Sequence, residues 1–538
     1  MKKIKKVENK KLDVVIVGAG FAGMYMLYKL RRLNLKVEII ERASDVGGTW
    51  YWNRYPGARC DIESIEYSYS FSEELQQDWV WSNRYSDQTE ILSYAGHVAD
   101  RFNLRKDINF DLSVNSARYD ENSKKWEIIT DSNQKFTASF CVMATGTLSS
   151  IKDPDFDGLD SFEGDWYLTG KWPHSGVDFT NKKVAIIGTG SSAVQSIPVI
   201  AKQAKELKVF QRTPNYSIPA KNRPLTKKEI IRAKSSYSDI RNKARYTRAG
   251  ISYNQYDEKK LLDLSEEERI NELNKRWQIG GQEVFLSGFT DVAVEQEAND
   301  LAAEFVRLKI HEIVKDTKTA NLLSPKNTIG CKRLCADTNY FETYNRKNVE
   351  LLDINVDPIT SITKNGISTK EKEFKFDVII FATGFDAMTG ALLSIDITGK
   401  DNIKLSEKWI DGPRSYLGLS INGFPNLFTI TGPGSPSVLT NMMVAIEQHV
   451  EWIYDCIHKL TTSKNNQIEA TISAENDWMN HVEDVASNTL RYSCNSWYVG
   501  ANVPGKKRVF MPYIGGQDIY RNKCKEISNN NYQGFVIS

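Results

Sequence analysis

An α/β fold with two similar parallel-sheet domains and a helical insertion is predicted by three features of this 538-residue sequence. Segments 13–33 and 183–204 each run from a β-branched apolar stretch through a glycine-rich turn into an apolar helix. Neither stretch alternates in polarity, so each is predicted to be a strand buried on both faces of a parallel sheet. Two further apolar strands, within 140–146 and 376–384, end in the same Ala-Thr-Gly phrase. This duplication predicts two domains of related architecture, one inserted into the other.

The third feature is a change of composition between Lys221 and Lys326, where long charged stretches carry apolar residues at helical spacing. The segment has no low complexity and repeats its apolar faces, which favours a helical insertion over a linker. The predicted bounds are a first domain over 1–150 and 390–538, a second domain over 151–220 and 331–389, and the insertion over 221–330.

Composition and charge exclude several classes of function. The chain is 41% hydrophobic and 26% charged, which are ordinary values for a globular protein. Its formal net charge of +2 provides no long-range field to attract nucleic acid. The basic start, Met1–Lys6, is followed by no apolar signal-peptide core, and no uncharged stretch approaches the ~20 residues that span a bilayer. We therefore expect a soluble cytoplasmic protein with neither a nucleic-acid partner nor a membrane partner.

The cysteines and histidines give no sign of a metal site. Seven cysteines are scattered along the chain without a Cys-x-x-Cys pair, and six histidines show no ligand spacing. We expect free thiols in a reducing compartment and a reaction that uses no bound metal.

The first glycine-rich turn has the spacing Gly-x-Gly-x-x-Gly. Gly18 permits a tight turn, Gly20 lets the backbone approach a pyrophosphate, and Gly23 allows close packing of helix on strand. The helix that follows offers free N–H groups and a positive dipole end to phosphates. Glu41 ends the next strand, about 20 residues on, where a carboxylate accepts hydrogen bonds from ribose hydroxyls. A Rossmann-like dinucleotide-binding domain is therefore predicted here.

The second turn, at 188–193, differs from the first in two ways. Ala193 stands at the third glycine position and is one methyl larger. The following strand ends in Arg212 and Thr213, whereas the first ended in an acid. A guanidinium at this place favours the 2′-phosphate of NADP over the free hydroxyl of NAD. Two dinucleotide sites in one chain imply that electrons pass between two cofactors, which indicates an oxidoreductase.

Several longer motifs carry a resemblance to a known family, the Baeyer–Villiger monooxygenases, and within it to the phenylacetone and cyclohexanone monooxygenases. The resemblance spans nearly the whole chain. Its motifs lie at 47–61, 162–173, 211–214, 330–333, 382–386, 432–436, 447–450 and 497–502.

One position departs from the family pattern. The motif that links the two domains is Phe-x-Gly-x-x-x-His-x-x-x-Trp in the family, and this chain has Leu168 in place of the histidine. Leucine cannot donate, accept or titrate, and His174 is not at the same place. The change bears on how NADPH binding, flavin reduction and domain movement are coupled. The Trp-Pro ending still points to Baeyer–Villiger enzymes over the related flavin-containing monooxygenases.

The resemblance implies a reaction in which FAD is the centre and NADPH delivers hydride to it. Oxygen would be captured as a C4a-peroxyflavin that attacks a ketone carbonyl, giving an ester or a lactone. Arg333 matches the family's catalytic arginine, a cation that cannot quench an anionic peroxide by giving it a proton. Asp61 resembles the acid that orients this arginine.

The resemblance also implies a set of site residues and partners. The expected FAD contacts are Gly18, Gly20, Phe21, Gly23, Glu41, Gly48, Thr49, Trp50, Asp61, Ile62, Tyr67 and Val114. The expected NADP contacts are Arg59, Thr189, Gly190, Ser191, Ser192, Gln195, Arg212, Thr213, Lys332, Arg333 and Trp497. The expected substrate pocket is Ser437, Val438, Leu439 and Met442. The partners implied are a small hydrophobic ketone and O2, and the chain is expected to be a monomer.

The sequence leaves three other functions open. An N- or S-oxygenating flavin monooxygenase would use the protonated hydroperoxide as an electrophile. An uncoupled NADPH oxidase releasing H2O2 is kept open by Leu168. A flavoprotein with a binding or sensing role would have no use for Arg333 and Asp61, which weighs against it.

Overall fold

The computed structural model describes residues 9–253, 256–463 and 465–538. The interpretation of the basic start, Met1–Lys6, therefore falls outside the described residues. Within the described part of the chain, no helix is both long enough and apolar enough to cross a membrane.

Strands and helices are numbered in chain order. The strands are β1 Asn9–Val17, β2 Val37–Ile40, β3 Ile108–Asn109, β4 Val114–Asp120, β5 Lys125–Thr130, β6 Lys135–Met143, β7 Asp165–Leu168, β8 Lys183–Ile187, β9 Glu206–Gln211, β10 Ser217–Pro219, β11 Cys335–Asp337, β12 Val349–Asp353, β13 Ile359–Thr363, β14 Gly366–Thr369, β15 Glu373–Lys375, β16 Val378–Phe381, β17 Asp396–Thr398, β18 Leu427–Thr429, β19 Ile468–Ala470 and β20 Phe535–Ile537. The helices are α1 Phe21–Leu30, α2 Thr49–Trp52, α3 Glu73–Asp78, α4 Gln88–Arg101, α5 Ser191–Ile200, α6 Lys227–Ser235, α7 Tyr237–Arg245, α8 Glu266–Ile279, α9 Gln282–Phe285, α10 Gln296–Ile313, α11 Thr317–Leu323, α12 Tyr340–Thr343, α13 Gly390–Leu393, α14 Leu405–Lys408, α15 Met442–Thr462, α16 Ile472–Ser487 and α17 Gln517–Asn529.

The first sheet has the strand order β17-β4-β5-β6-β1-β2-β3, and β18 also pairs with β6. Its centre is parallel: Val14 lies opposite Val37 on one side and Phe140 on the other. The strands β4, β5 and β6 are joined in antiparallel fashion. Val14, Val15 and Ile16 are completely buried, as the uniform apolar run of β1 predicts.

The second sheet, β12-β9-β8-β16-β7, is parallel throughout. All its strands lie between Asp165 and Phe381, so they interrupt the chain that forms the first sheet. The two sheets confirm the predicted α/β class with two related units, although the first sheet is mixed and only the second is parallel throughout. The domain bounds given by the sequence remain predictions.

The segment of the predicted insertion carries the helices α6 to α11. Phe285, Phe305 and Ile310 of this segment belong to the same buried cluster as Val184 and Ile197 of the second sheet unit. Helices α8 to α11 therefore share a core with that unit. Helix α7 instead contacts the first sheet unit, since Arg241 donates to Gln76 and Ser68.

Gly23 of α1 shows why the first turn accepts only glycine at this contact. A Cβ built on Gly23 would lie 1.8 Å from the carbonyl oxygen of Gly18, which is far inside van der Waals contact. Gly18 itself has φ of +104°, a value that side chains disfavour. The helix can therefore approach the turn closely only without a side chain.

We predict that Gly23→Ala lowers the free energy of unfolding by about 1–3 kcal/mol, because the methyl forces the backbone apart. Gly96→Ala is the matched control: Gly96 lies inside α4, and a Cβ there meets only an arginine nitrogen at 3.6 Å. That control should be as stable as the parent or up to about 1 kcal/mol more stable. Thermal unfolding of the FAD-loaded proteins measures both. A Gly23→Ala protein as stable as the control would contradict the close-contact argument.

Candidate active site

A cavity of about 620 Å³ opens at the carboxyl ends of strands β8, β9 and β16. The residues that follow these three strands form one side of the cavity. Parts of segment 49–67, from the first sheet unit, and of segment 495–502 form other parts of its wall. Open parallel sheets bind ligands at this edge, so the cavity is where the topology predicts a nucleotide.

Most of the residues predicted to contact cofactor or substrate lie in this wall. They are Thr49, Trp50, Arg59, Asp61, Ile62, Tyr67, Thr189, Gly190, Ser191, Ser192, Gln195, Arg212, Thr213, Lys332, Arg333, Val438, Met442 and Trp497. The others lie outside it, and they are Gly18, Gly20, Phe21, Gly23, Glu41, Gly48, Val114, Ser437 and Leu439.

The first glycine turn meets a second glycine-rich segment. A Cβ on Gly48 would lie 2.8 Å from the Cα of Gly20, so this approach requires glycine at position 48. Helix α1 begins after Gly20, and no side chain caps its first N–H groups. Unpaired N–H groups at a helix start suit a phosphate, so these residues fit the dinucleotide that the sequence predicts.

Glu41, which is predicted to contact ribose, also stabilises the first glycine turn. It is buried and accepts hydrogen bonds from the backbone amides of Ala19 at 2.6 Å and Ala43 at 2.7 Å. Each carboxylate oxygen keeps a further lone pair that a ribose hydroxyl could use. The predicted contact with ribose therefore remains compatible with the bonds that Glu41 already makes.

Phe21 and Val114 lie outside the cavity wall. The Phe21 ring contacts the edge of Tyr67 with centroids 6.1 Å apart, and the Tyr67 hydroxyl accepts a hydrogen bond from the Trp50 indole at 3.1 Å. Val114 begins β4 and packs against the core that contains Val17. Phe21 thus packs against one wall residue, Tyr67, and Tyr67 in turn bonds to Trp50.

The second turn repeats the geometry of the first. A Cβ on Gly188 would lie 2.5 Å from the carbonyl oxygen of Ala382, and one on Gly18 would lie 2.6 Å from that of Ala144. Each glycine turn therefore lies against an Ala-Thr-Gly phrase. A Cβ on Gly190 meets nothing within 4 Å, and no side chain caps α5. This open helix start fits a pyrophosphate.

The part of the cavity wall that follows β9 is positively charged. Arg212 and Thr213 follow that strand, and the Thr189 hydroxyl donates to the Thr213 carbonyl at 2.8 Å. Burial lowers the pKa of Lys332, and the nearby charge of Arg212 lowers it further. Neighbouring cations favour a multiply charged anion between them.

Arg333 and Asp61 form a two-bond ion pair in the cavity wall. The Arg333 Nε donates to Oδ2 of Asp61 at 2.5 Å and its Nη2 donates to Oδ1 at 3.0 Å. Its Nη1 donates to the Val438 carbonyl at 2.8 Å. Burial alone would lower the pKa of Arg333, but the Asp61 carboxylate outweighs this and leaves the pKa above its ordinary value. The guanidinium therefore stays charged at every working pH.

Gln195 joins the two sheet units beside this pair. Its amide donates to the Arg59 carbonyl at 3.0 Å, and its oxygen accepts from the Tyr55 hydroxyl at 2.9 Å. The sequence did not single out Tyr55, although it lies inside the motif at 47–61. Lys152 and Asn502 also lie in the wall, and neither was predicted there. Asn502 ends a recognised motif, whereas Lys152 belongs to none.

The predicted substrate pocket divides into two pairs. Val438 and Met442 line the cavity, and Met442 is the first residue of α15. Ser437 is completely buried and donates to the Thr431 carbonyl at 3.2 Å, while Leu439 packs against a buried cluster that includes Met388. Ser437 is thus buried and Leu439 is partly exposed, and the substrate pocket of four residues remains a prediction.

The motif at 447–450 supports the fold and is not part of the cavity wall. Glu447 accepts from the backbone amide of Ser70 at 2.6 Å, and Nδ1 of His449 accepts from the Thr431 amide at 2.8 Å. Burial lowers the pKa of His449 to about 3, with a further contribution from Arg521. His449 is therefore neutral and acts as a fixed acceptor.

Leu168 fits an apolar position. It ends β7, is 7% exposed, and belongs to a cluster with Ile187 and Phe381. His174 is exposed and lies against the Tyr51 ring with centroids 4.9 Å apart. His174 therefore does not occupy the place that the family's histidine would take.

The chain is similar to a family model over part of its length and to characterised proteins over most of it. Residues 15–259 match the model described as pyridine nucleotide-disulphide oxidoreductase. A Baeyer-Villiger monooxygenase of Pseudooceanicola batsensis is 42% identical over 527 residues, covering 97% of this chain and 96% of the relative. A phenazine N-monooxygenase of Lysobacter antibioticus is 39% identical over 536 residues, covering 99% of this chain and 98% of the relative.

Solved structures are similar over the same length. An oxidized steroid monooxygenase bound to NADP has a TM-score of 0.94 and 48% identity, covering 98% of this chain and 99% of its own. OTEMO in complex with FAD and NADP has a TM-score of 0.95 and 41% identity, covering 99% of this chain and 100% of its own.

We predict that Leu168→His lowers the free energy of unfolding by about 1–3 kcal/mol, because it buries an imidazole in an apolar cluster. Burial would hold the pKa of that imidazole below its unfolded value of ~6.5. Stability relative to the parent should therefore fall further as the pH drops below ~6.5. Leu168→Met, which conserves volume, should cost under about 1.5 kcal/mol and show no such pH dependence. Denaturant unfolding at pH 8 and pH 5.5 measures both, and equal stabilities for the two variants at both pH values would contradict the prediction.

Proposed function

The chain belongs to the Baeyer–Villiger monooxygenases, and on that premise we propose how its own residues carry out the reaction of the family. It is an FAD- and NADPH-dependent enzyme that inserts one oxygen atom of O2 beside a ketone carbonyl. The observation that carries the proposal is the Arg333–Asp61 ion pair in the wall of the cavity beside the second glycine turn.

The first glycine turn and the segment that faces it would hold FAD. When bound, FAD supplies the hydride and oxygen chemistry that side chains cannot perform. Gly18, Gly20 and Gly48 leave room for the pyrophosphate, and Glu41 would accept from ribose. The other proposed contacts are Phe21, Gly23, Thr49, Trp50, Asp61, Ile62, Tyr67 and Val114.

The second turn would hold NADPH in the large cavity. Gly190 and the uncapped start of α5 would take the pyrophosphate. Arg212 with Thr213 and Lys332 would take the 2′-phosphate. The remaining proposed contacts are Arg59, Thr189, Ser191, Ser192, Gln195, Arg333 and Trp497.

Arg333 would stabilise negative charge as the oxygen transfer proceeds. A guanidinium has five N–H groups, and three of them are used by Asp61 and Val438. The two that remain, one on each terminal nitrogen, can donate to an oxyanion in the cavity. Asp61 fixes the plane of the group through two bonds, so little reorganisation is needed when charge develops.

The substrate proposed is a small hydrophobic ketone. Val438 and Met442 give an apolar surface next to the carbonyl that holds Arg333. Trp497 lies in the same wall and would exclude water from the reacting atoms. The proposed state is a monomer in the cytoplasm, a compartment that suits the free, buried thiols of all seven cysteines.

N-oxygenation is a second candidate, since a phenazine N-monooxygenase is 39% identical to this chain over nearly its full length. The two reactions place different demands on Arg333. A ketone needs an anionic oxidant that a cation stabilises, whereas an amine attacks a neutral electrophilic one. Substrate choice therefore tests the assignment directly.

We predict that NADPH is consumed in air with hydrophobic ketones, and that ester forms nearly one-for-one with it. Parallel assays measure NADPH, ester and H2O2, and an aromatic N-heterocycle serves as the competing substrate. H2O2 as the main product with every ketone would favour an uncoupled oxidase, the outcome left open by Leu168. An N-oxide in place of any ester would favour the second candidate.

We predict that Arg333→Lys lowers the rate of ester formation by about 10²–10³-fold, because a point charge cannot reproduce the two-bond geometry with Asp61. NADPH oxidation should continue with release of H2O2. Asp61→Asn should also lower ester yield, since it removes the charge that orients the arginine. Ester formation by Arg333→Lys at the parent rate would contradict the role given to this ion pair.

We predict that Arg212→Gln lowers the preference for NADPH over NADH by about 10–100-fold, through loss of a charge-assisted contact to the 2′-phosphate. The ratio of kcat/KM for the two coenzymes is the measurement. The KM for NADH should change little. An equal loss with both coenzymes would place Arg212 away from the 2′-phosphate.

A further inference from the structure

Lys152 is a cation in the cavity wall that neither the ion pair nor the predicted phosphate contacts use. It is partly buried, and its Nζ donates to the Asn502 carbonyl at 2.5 Å. An ammonium group has three N–H groups, so two remain for other acceptors. Among the residues that the structure describes, no carboxylate forms an ion pair with Lys152.

The charge of Lys152 is part of a larger cluster. Burial lowers the pKa of Lys152, the charge of Arg212 lowers it further, and Asp386 acts in the opposite direction. Asp386 itself is paired with Lys506 at 2.5 Å. Arg212 also lowers the pKa of Lys332, so its charge reaches both lysines. Cations that lose hydration and repel one another are stabilised by an anion of more than one charge.

Lys152 also contacts a segment that closes one side of the cavity. The Asn502 side-chain amide donates to the Phe385 carbonyl at 2.6 Å, and Lys506 donates to the Ala387 carbonyl at 3.2 Å. Segment 497–506 is therefore held onto the chain that follows β16 by bonds at both Asn502 and Lys506. This segment carries Trp497, another residue of the cavity wall.

Asn502 points to a ligand independently of the lysine. Its Oδ1 is buried and has no hydrogen-bond partner among the described residues, although Asn502 lies in the cavity wall. A buried acceptor without a donor is costly, so the Asn502 amide would gain from a rearrangement that brings its Oδ1 to a hydroxyl of a bound ligand. A dinucleotide supplies both ribose hydroxyls for Asn502 and phosphates for Lys152.

We propose that Lys152 binds a phosphate of NADPH and, through Asn502, joins that phosphate to segment 497–506. The inference rests on the proposed placement of NADPH in this cavity. Lys152 then determines how tightly the coenzyme binds and how firmly Trp497 is held over it. The phosphate is either the 2′-phosphate or the pyrophosphate, and the two are distinguishable by coenzyme.

The first test is coenzyme affinity in the FAD-loaded protein, measured by calorimetric titration with NADP+ and with NAD+. Lys152→Gln should raise the Kd for NADP+ about tenfold, the effect of one charge-assisted hydrogen bond in a partly exposed site. Lys152→Arg keeps the charge and should stay within about threefold of the parent. Lys202→Gln, an exposed lysine just after α5, is the matched control and should leave both affinities unchanged.

The two coenzymes separate the possible sources of the effect. A loss with NADP+ alone assigns Lys152 to the 2′-phosphate, and an equal loss with both assigns it to the pyrophosphate. Unchanged affinities for both coenzymes would overturn the proposal, most clearly if the KM for the ketone rose instead. Failure of the parent itself to bind NADP+ would contradict the proposed function and not the role of Lys152.

The second test is hydrogen exchange at segment 497–506 with saturating NADP+. The parent should gain protection of these amides on binding, and Lys152→Gln should gain clearly less at the same occupancy. Lys152→Arg should restore the protection. Equal protection in the parent and in Lys152→Gln would overturn the link between the phosphate and the segment.

Discussion

The ion pair between Arg333 and Asp61 joins three stretches of chain that are far apart in sequence. Asp61 follows α2 in the first sheet unit, Arg333 precedes β11 in the second, and the guanidinium also donates to Val438 in the turn before α15. The pair is partly buried, so removing either member would leave a charge with only partial access to water. One guanidinium therefore links the two sheet units to the turn at 437–439.

The same arrangement brings the second nucleotide turn next to segments of the first unit. Each glycine turn follows a central parallel strand and lies against an Ala-Thr-Gly phrase, as the contacts of Gly18 with Ala144 and of Gly188 with Ala382 show. Gln195 then ties the start of α5 to the segment of Tyr55 and Arg59. A cofactor that delivers hydride and a cofactor that accepts it must lie close together, and this packing gives them a shared region.

Charge distinguishes the two sites. Glu41 is buried at the first turn, where its carboxylate accepts backbone amides. At the second turn Arg212 and Lys332 collect positive charge, and Lys152 extends that charge to segment 497–506. An acid suits free ribose hydroxyls, whereas cations suit an added phosphate, so the two proposed sites would select different nucleotides. Asp386 offsets part of the cost of gathering cations in a partly buried wall, and a bound anion would offset more of it.

Local pattern determined the fold class, because uniform apolar strands, glycine spacing and strand-end charge are features of short segments. The pairing of Asp61 with Arg333 was instead implied by the resemblance to the family, which the longer motifs carry. The tertiary structure decided the contacts between stretches that are distant in sequence. Examples are the contact of Lys152 with Asn502 and the bridge from Gln195 to Tyr55. Leu168 falls between these cases, since the sequence showed the departure and only packing showed its apolar surroundings. The contacts of a side chain depend on which strands are neighbours in the sheet. No single segment of the sequence determines that strand order.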